Sequence, residues 1–322
     1  MGAYHPRKVL ITGAAGNLGG LTARCLLAST GLELHLLIHR KPLSGDLAED
    51  DRVTVFKGDL GKRERLRACL RGVDAVIHYA GVLFKHHPER FLPVTNVQYF
   101  QNLCDLAIQE QVRRIILISF PHVEGETFPW RPAAGRLDGE PASVHARTRL
   151  DQEKYLFAAT ARSACQGVSL RAGMVYGRGI LMMDVARWLA QRRLLAVWRE
   201  PTWIHLISRD DFLAAVRSAV LGRDIAGIYH LGDEGVQTLQ AFLDRAAQCW
   251  GCARPWRLPE PMIHWAATLC EWQSMLLGTP SPLTRDFIRI GRQSYYGDTA
   301  RMRQELLPAL KYPTIEQGRA LF

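Results

Sequence analysis

The sequence predicts an α/β fold, a doubly wound parallel sheet with a smaller C-terminal domain interleaved with it. Short apolar runs alternate with amphipathic stretches through the first half of the chain. The runs are nearly continuously apolar, as strands covered by helices on both faces must be. Alternating strands and helices imply right-handed crossovers, which place the strands parallel in one sheet.

Five predicted strands come first along the chain. They are KVLITG (8–13), ELHLLIHR (33–40), VTVFKGD (53–59), AVIHYAG (75–81) and RRIILIS (113–119). Helical patterns lie between them, at NLGGLTARCLLAST (17–30) and NVQYFQNLCDLAIQEQ (96–111). The basic stretch 61–71 predicts a helix with a solvated charged face, whose inward side carries Leu66, Cys69 and Leu70.

The alternation loosens after the strand VSLRAGMVYG (168–177). A helix over 184–197, a further strand at 227–233 and a Trp-rich segment at 255–283 follow. This predicts a dinucleotide-binding domain over 1–177 with a return segment at about 204–233. The smaller, substrate-binding domain then comprises 178–203 and 234–322.

Composition excludes several classes of protein. The formal charge is +10, but the basic residues are dispersed, which argues against a nucleic-acid partner. No apolar run reaches the ~18 residues of a membrane span, so a cytoplasmic protein without a membrane partner is expected. The seven cysteines are scattered, as reduced thiols are, and Cys249 and Cys252 have no second pair to complete a metal site.

A glycine-rich turn follows the first predicted strand. In ITGAAGNLGG, Gly13, Gly16 and Gly19 are spaced GxxGxxG between a strand and a helix. Such a turn lets the backbone approach a pyrophosphate, and the helix N-terminus supplies N–H donors to it. The sequence therefore predicts a Rossmann-type dinucleotide site, which also includes Ala15, Asn17 and Leu18.

The end of the second predicted strand bears on which dinucleotide binds. An NAD-preferring site usually has an acidic residue there, about 20 residues past the turn. This chain has His39 and Arg40 and no acid. Because a guanidinium suits a dianionic 2′-phosphate, NADP(H) is predicted in preference to NAD(H). The alternative is that Arg40 is merely solvated.

Further motifs follow in a fixed order. They are GDL at 58–60, DAVIHYAG at 74–81, TNVQYFQNLCDLA at 95–107, LRAGMVYGRG at 170–179 and HLISRDDFLAAV at 205–216. With the glycine turn, they make the chain resemble the short-chain dehydrogenase/reductase superfamily, in its extended NAD-dependent epimerase/dehydratase branch. The resemblance implies a possible homodimer and cofactor contacts at Asp59, Leu60, Tyr79, Ala80, Gly81, Asn96 and Met174.

The resemblance also locates a catalytic position. The family uses a Tyr-x-x-x-Lys pair on one helix and a Ser or Thr after the fifth strand, and the cation lowers the tyrosine pKa. Here the segment SVHARTRL (143–150) offers His145 for Tyr and Arg149 for Lys. The strand end has Phe120 and Pro121 in place of the hydroxyl residue, with Ser119 before them and His122 after them as a polar substitute.

Three interpretations follow. In the first, His145 is a working acid/base, since its unperturbed pKa of about 6.5 needs less tuning than that of tyrosine. In the second, catalysis is lost and the protein is a dinucleotide-binding sensor. In the third, Tyr176, Tyr79 or Lys85 supplies the proton, or no side-chain acid is needed.

The second half suggests a less polar ligand than a sugar nucleotide. Its arginines are accompanied by Met182, Met183 and several tryptophans, including Trp265 and Trp272 seven positions apart. This stripe is interpreted as core packing, with an apolar substrate pocket or a dimer surface as alternatives. The expected substrate is a small carbonyl-bearing or sugar-like compound that is reduced or epimerised.

Overall fold

A parallel sheet of seven strands forms the centre of the computed structural model, which describes residues 4–81, 87–277 and 283–322. The strands of the described residues are β1 (Lys8–Thr12), β2 (Glu33–Ile38), β3 (Val53–Lys57), β4 (Ala75–His78), β5 (Arg114–Ser119), β6 (Gln166–Ala172), β7 (Met174–Tyr176), β8 (Ala196–Trp198), β9 (Trp203–Ile204), β10 (Leu206–Ser208), β11 (Gly227–Leu231), β12 (Gln237–Thr238) and β13 (Trp256–Leu258). The central sheet has the order β11-β6-β5-β4-β1-β2-β3.

Helices cover both faces of this sheet. Those of the described residues are α1 (Asn17–Ser29), α2 (Gly45–Ala48), α3 (Arg63–Leu70), α4 (Tyr99–Gln109), α5 (Val144–Thr160), α6 (Leu181–Gln191), α7 (Arg209–Leu221), α8 (Leu239–Cys249), α9 (Glu260–Leu277), α10 (Arg285–Arg292) and α11 (Ala300–Glu305). This is the predicted Rossmann-like α/β fold. The strand order reverses between β1 and β4, so a crevice opens at the carboxyl ends of these two strands.

The core has two parts, one on each face of the sheet. Val9 and Ile11 of β1 belong to the cluster that contains residues of α1 and α7. Leu10, between them, belongs to the cluster with residues of α3, α4 and α5. Successive side chains of a strand point to opposite faces, so a single apolar run supplies both clusters. Leu66, Cys69 and Leu70 of α3 are buried as predicted.

Two sequence predictions are wrong in detail. β3 is not covered on both faces, because it is the edge strand and pairs only with β2, which leaves Thr54 and Val55 exposed. The helix predicted over 184–197 ends at Gln191, because Arg193 adopts a left-handed backbone with φ 59° and residues 196–198 form β8.

The C-terminal half contains three two-stranded pairings, β10 with β7, β12 with β9 and β13 with β8. Asp211 fastens the chain's last segment to α7, because its carboxylate accepts hydrogen bonds from the backbone N–H groups of Lys311 (2.6 Å) and Tyr312 (3.0 Å). Cys249 is the last residue of α8, and both it and Cys252 are free thiols. Among the described helices, none combines the length and the hydrophobicity that crossing a bilayer requires.

Candidate active site

The glycine-rich turn is built so that only glycine fits at its key positions. Gly13 has φ +74°, and a Cβ there would lie 2.9 Å from the backbone nitrogen of Ala80 at the end of β4. A Cβ on Gly19 would collide with the carbonyl oxygen of Gly13, which also accepts a hydrogen bond from Gly16 N (2.9 Å). The turn therefore holds β1, α1 and the end of β4 in close contact.

The N-terminus of α1 is open to an anion. Its N-cap is Gly16, which has no side chain to satisfy the N–H groups of the first turn. These N–H groups belong to Asn17, Leu18 and Gly19, and with Ala15 they border the crevice at the topological switch point. A pyrophosphate fits such a cradle through backbone hydrogen bonds and the helix dipole.

The side chain of Asn17 serves a different purpose. Its Nδ2 donates to the carbonyl oxygen of Gly179 (2.6 Å), and its Oδ1 accepts from Leu181 N (3.0 Å). These two hydrogen bonds tie the glycine-rich turn to the start of α6. Because both polar atoms of its side chain are engaged, Asn17 can contact a dinucleotide through its backbone alone.

His39 and Arg40 follow β2 on the surface. The Nε2 atom of His39 lies 3.8 Å from Oδ2 of Asp59, whose other carboxylate oxygen accepts from Gly61 N (2.8 Å). Within the described ranges Arg40 is exposed and has no ion-pair or hydrogen-bond partner. Leu60 is half-buried against the core. The edge where adenosine binds in a Rossmann-type site thus carries an uncommitted guanidinium.

Helix α5 presents the residues predicted to be catalytic. Ser143 caps the helix, since its Oγ accepts a hydrogen bond from Ala146 N (3.1 Å). His145, Arg149 and Glu153 then follow at intervals of four and lie on one face of the helix. All three are buried, which is unusual for ionisable side chains.

His145 is paired with a carboxylate from the C-terminal half of the chain. Its Nδ1 lies 3.5 Å from Oδ2 of Asp286, and both side chains are largely buried. Asp286 is in the first turn of α10, where Thr284 caps the helix by accepting from Phe287 N (3.2 Å). Sequence reasoning missed Asp286, because no motif surrounds it.

Arg149 is a buried cation with unsatisfied donors. Its Nε and Nη1 atoms have no hydrogen-bond partner in the described part of the chain. Its Nη2 lies beside Gly81, since a Cβ built on that glycine would be only 3.3 Å away. Burial lowers the pKa of Arg149 to about 10, and the charge of Glu153 opposes this shift. The donors and the space beside Gly81 fit ribose hydroxyls of a dinucleotide.

His78, which sequence reasoning did not single out, lies at the end of β4. Its Nδ1 is hydrogen-bonded to Oγ1 of Thr12 (2.8 Å), and its ring packs on Phe100 with centroids 4.8 Å apart. Burial, and then the charge of Arg149, lower its pKa to about 3. His78 is therefore neutral and does not donate protons near neutral pH.

Asn96 lies in a π-helical turn, Pro93–Gln98, that leads into α4. The Nδ2 atom of Asn96 donates to Thr148 Oγ1 (3.1 Å), and the backbone carbonyl oxygen of Asn96 accepts from Gln152 Nε2 (2.9 Å). Single π turns inside helices are frequent at functional sites. These bonds hold the turn before α4 against α5, next to the face that carries His145 and Arg149.

Ser119 and His122 flank the end of β5. Both are buried, and Ser119 Oγ lacks a hydrogen-bond partner among the residues the structure describes. The His122 ring lies between Phe120 and Tyr295, at centroid distances of 5.4 and 4.3 Å. Burial lowers the pKa of His122 to about 4, so near neutral pH the polar substitute predicted for the lost hydroxyl is a neutral imidazole.

A buried ionic network supports this face of α5. Glu153 accepts hydrogen bonds from Ser169 Oγ (2.8 Å) and Arg171 Nη2 (2.6 Å). Arg171 also contacts Glu124 and donates to the carbonyl oxygen of Arg136 (2.7 Å). Breaking such a network leaves an uncompensated buried charge, so α5 is held firmly against β6.

The alternative proton donors have other roles. Tyr79 OH is hydrogen-bonded to Thr22 Oγ1 (2.5 Å), and burial raises its pKa. Tyr176 packs between Phe242 and Phe322, and burial raises its pKa too. Lys85, another of these alternative donors, lies outside the described residues.

Met174, which the resemblance places in contact with the cofactor, is half-buried in β7.

The sequence and the fold identify the family. The profile of the NAD dependent epimerase/dehydratase family matches residues 9–210. The chain belongs to this family. The family is described as NAD-dependent, and the predicted resemblance to the epimerase/dehydratase branch is confirmed.

Known relatives agree at the level of the fold. The inverting UDP-N-acetylglucosamine 4,6-dehydratase of Campylobacter jejuni is 29% identical to this chain over 125 residues. The alignment covers 36% of this chain and 37% of the dehydratase, so the chain matches little more than a third of that enzyme. UDP-glucose 4-epimerase of Thermotoga maritima (TM-score 0.76, 16% identity, 98% and 96% of the two chains covered) was solved with UDP-glucose. The dTDP-glucose 4,6-dehydratase DesIV of Streptomyces venezuelae, which was solved with NAD, has a TM-score of 0.75 and 19% sequence identity, and the match covers 98% of this chain and 95% of DesIV.

Proposed function

We propose that this protein is a dinucleotide-dependent oxidoreductase or epimerase in which His145 replaces the usual tyrosine as the group that transfers a proton. The pairing of His145 Nδ1 with the Asp286 carboxylate at 3.5 Å carries the proposal. A carboxylate at this distance favours the ring orientation in which Nδ1 faces it. Nε2 is then the atom available to exchange a proton with a substrate oxygen.

Different residues around the crevice bind different parts of the dinucleotide. The turn at Gly13, Gly16 and Gly19 holds the pyrophosphate, and the unpartnered donors of Arg149 hold the ribose next to the reacting carbon. The dinucleotide, when bound, supplies or accepts a hydride. Arg149 stays charged and cannot relay a proton, so the proton lost from His145 Nε2 returns from solvent.

Arg40 supports a preference for NADP(H) over NAD(H). It is exposed at the end of β2, and in the described segments nothing occupies its guanidinium. A bidentate guanidinium recognises a dianionic phosphate better than it recognises a hydroxyl. The neighbouring His39 already lies near Asp59, so Arg40 is the cation left for a 2′-phosphate.

The start of α6 supports an apolar carbonyl substrate. Because Asn17 binds Gly179 and Leu181, this helix begins beside the glycine-rich turn. Its exposed face near that end carries Leu181, Met182 and Val185 and offers little to a sugar diphosphate. We therefore place the substrate between the dinucleotide domain (1–177) and the smaller domain (178–203 and 234–322), against this apolar face.

The experiment is a binding and turnover series on the purified chain. Binding of NADPH and NADH is measured by titration, and cofactor oxidation is followed with a panel of apolar ketones, aldehydes and sugar nucleotides. A ketone that gains a hydride and a proton becomes an alcohol, so consumed cofactor and product must match one to one. Size-exclusion chromatography of the same samples measures whether the chain is the homodimer that the resemblance implies.

His145→Ala tests the role of the imidazole. It should leave dinucleotide affinity nearly unchanged and lower kcat by a factor of about 10² to 10⁴, the usual contribution of a general acid/base. Turnover equal to that of the unaltered chain would refute the proposal. Tight cofactor binding with no turnover on any compound would instead support the dinucleotide-binding sensor.

A further inference from the structure

Helix α9 carries an exposed apolar face in addition to the side chains that it buries. The apolar side chains Met262, Trp265, Leu269, Trp272 and Met275 are exposed, and Trp265 and Trp272 expose 71% and 64% of their surface. The spacing of these residues places them on one face of the helix. The interpretation of the two tryptophans as core packing is therefore wrong, since both face outward.

The opposite side of α9 carries the charge. Glu271 is buried and accepts hydrogen bonds from the backbone N–H (2.8 Å) and Nε (2.7 Å) of Arg285 in α10. Between residues 261 and 275 the acidic and basic side chains are the buried Glu271 and His264, which is one-third exposed at the edge of the apolar face and paired with Glu260 (3.3 Å). A soluble monomer rarely leaves a contiguous apolar face of this kind uncovered, so it marks an interaction surface.

A basic and aromatic region adjoins the start of α9. Trp256, the first residue of β13, is 61% exposed, and its Nε1 donates to the carbonyl oxygen of Arg193 (2.9 Å). A surface pocket of about 320 Å³ lies here, lined by Trp256 and by Arg193, Arg254 and Arg257. Arg257 pairs with Asp244 (2.7 Å), but Arg193 and Arg254 have no acidic partner in the ranges that the structure describes.

The end of α6 extends this region. Trp188 and Leu194 are exposed, and the guanidinium of Arg192 lies 4.0 Å from the centroid of the Trp188 ring. Since β13 ends at Leu258 and α9 begins at Glu260, this region and the first turn of that helix are neighbours along the chain. We call the two parts together the α9 surface, defined by Met262, Trp265, Leu269 and Trp272 with Trp256, Arg193 and Arg254.

We propose that the α9 surface docks the protein on an anionic lipid bilayer, with the apolar face of α9 in the acyl boundary and the arginines at the headgroup phosphates. Indole rings favour the water–bilayer interface, because they combine an apolar body with a polar N–H. An uncharged apolar face flanked by cations is typical of helices that lie in this plane. The proposal departs from the sequence expectation of no membrane partner, which rested on the lack of an apolar run long enough to span a bilayer.

Charge favours a bilayer over a second copy of the chain. A two-fold dimer through this surface would bring four guanidinium groups, those of Arg193 and Arg254 in each copy, into one interface. The chain has a net charge of +10, and Glu260 at the start of α9 is already paired with Arg292 (2.6 Å) and His264 (3.3 Å). A surface of anionic headgroups neutralises these guanidinium groups, whereas a second copy repeats them.

Co-sedimentation with lipid vesicles tests the proposal. The full chain is mixed with vesicles of equal parts phosphatidylglycerol and phosphatidylcholine, or of phosphatidylcholine alone, at low and high salt. The chain should sediment with the anionic vesicles and less so at high salt, because salt screens the headgroup charge. Free inorganic phosphate at the same concentration should not compete, which separates a bilayer from a pocket for a soluble phosphate.

Paired variants and matched controls make the result specific. Trp265→Ser with Trp272→Ser should weaken partitioning about tenfold or more, through lost apolar burial. Arg193→Gln with Arg254→Gln should weaken it about tenfold, through lost charge. Trp130→Ser, an exposed tryptophan elsewhere, and Arg65→Gln with Arg71→Gln on the α3 side should leave partitioning unchanged. Unaltered dinucleotide affinity in all variants verifies that they fold.

Several outcomes would overturn the proposal. They are a chain that stays in the supernatant with anionic vesicles, tryptophan variants that partition like the unaltered chain, and competition by free phosphate. A dimer in solution that Trp265→Ser with Trp272→Ser converts to monomer would assign the surface to a second copy instead.

Discussion

The Nδ1 atom of His145 lies 3.5 Å from the carboxylate of Asp286, which joins the first turn of α5 to the first turn of α10. The two residues come from the two halves of the chain. The proposed role of His145 in catalysis therefore depends on the C-terminal half being seated against the dinucleotide domain.

Asp286→Asn keeps the shape of this contact and removes its charge. We expect kcat to fall about tenfold to a hundredfold, because an orienting carboxylate has an effect of this size on its histidine, with KM nearly unchanged. Steady-state kinetics with the substrate found in the panel measure both constants. Asp51→Asn, at an exposed turn, is the matched control. Equal losses in both variants would mean that the 3.5 Å contact has no part in catalysis.

Arg149 should show opposite effects on stability and on binding. Its buried Nε and Nη1 atoms lack partners in the described structure, so Arg149→Met should raise the melting temperature of the nucleotide-free protein. The same substitution should weaken dinucleotide binding about tenfold to a hundredfold, the effect of losing a hydrogen bond to a charged group. Calorimetry with and without dinucleotide measures both quantities.

Arg149→Lys serves as the conservative comparison for that pair of measurements. It introduces the residue that the family resemblance leads us to expect here and keeps the positive charge beside Gly81. We expect it to retain most of the dinucleotide affinity. If Arg149→Met lowered stability and left affinity intact, the guanidinium would be structural and our placement of the ribose would be wrong.

Arg40 should decide between the two dinucleotides. The unaltered chain is expected to bind NADPH at least about tenfold more tightly than NADH, because a charge-assisted pair adds more than 1 kcal/mol. Arg40→Ala should remove this difference by weakening NADPH binding alone. Fluorescence titration with both cofactors measures it, with Arg71→Ala as a control at another exposed arginine. Preference for NADH in the unaltered chain would contradict the assignment.

The fold followed from local pattern, whereas much of the candidate site did not. Val9, Leu10 and Ile11 are apolar because both faces of β1 are covered, and that pattern is readable in the sequence. Gly13 is identifiable because its φ of +74° and its closeness to Ala80 exclude other residues. These constraints act within a few residues or repeat at the period of a strand.

Asp286 and His78 could not be found in this way. Each acquires its character from residues distant in sequence: Asp286 from His145, and His78 from Thr12 and Arg149. The error over Trp265 and Trp272 has a related cause. Their spacing defines a helical face, but only the packing of α9 shows that this face is turned away from the core.

The pH dependence of stability should change when Asp233 is replaced by Asn. Burial raises the pKa of this carboxyl from 3.8 to about 8, and in the described residues its Oδ2 has no hydrogen-bond partner. The folded protein thus holds Asp233 neutral, whereas the unfolded chain ionises it above about pH 4. Its contribution to stability is therefore greatest below pH 4 and is lost as the pH rises towards 8.

Asp233→Asn removes that ionisation and keeps an oxygen for the hydrogen bond from Gly235 N (2.9 Å). The variant should gain stability over the unaltered chain as the pH rises from 5 to 8, by at most about 1.4 kcal/mol per pH unit. His205, whose pKa burial lowers to about 4, acts in the opposite direction, but it is present in both proteins and cancels from the difference. Chemical denaturation at several pH values measures the gap. A gap that stays constant across this range would show that Asp233 is already ionised in the folded protein.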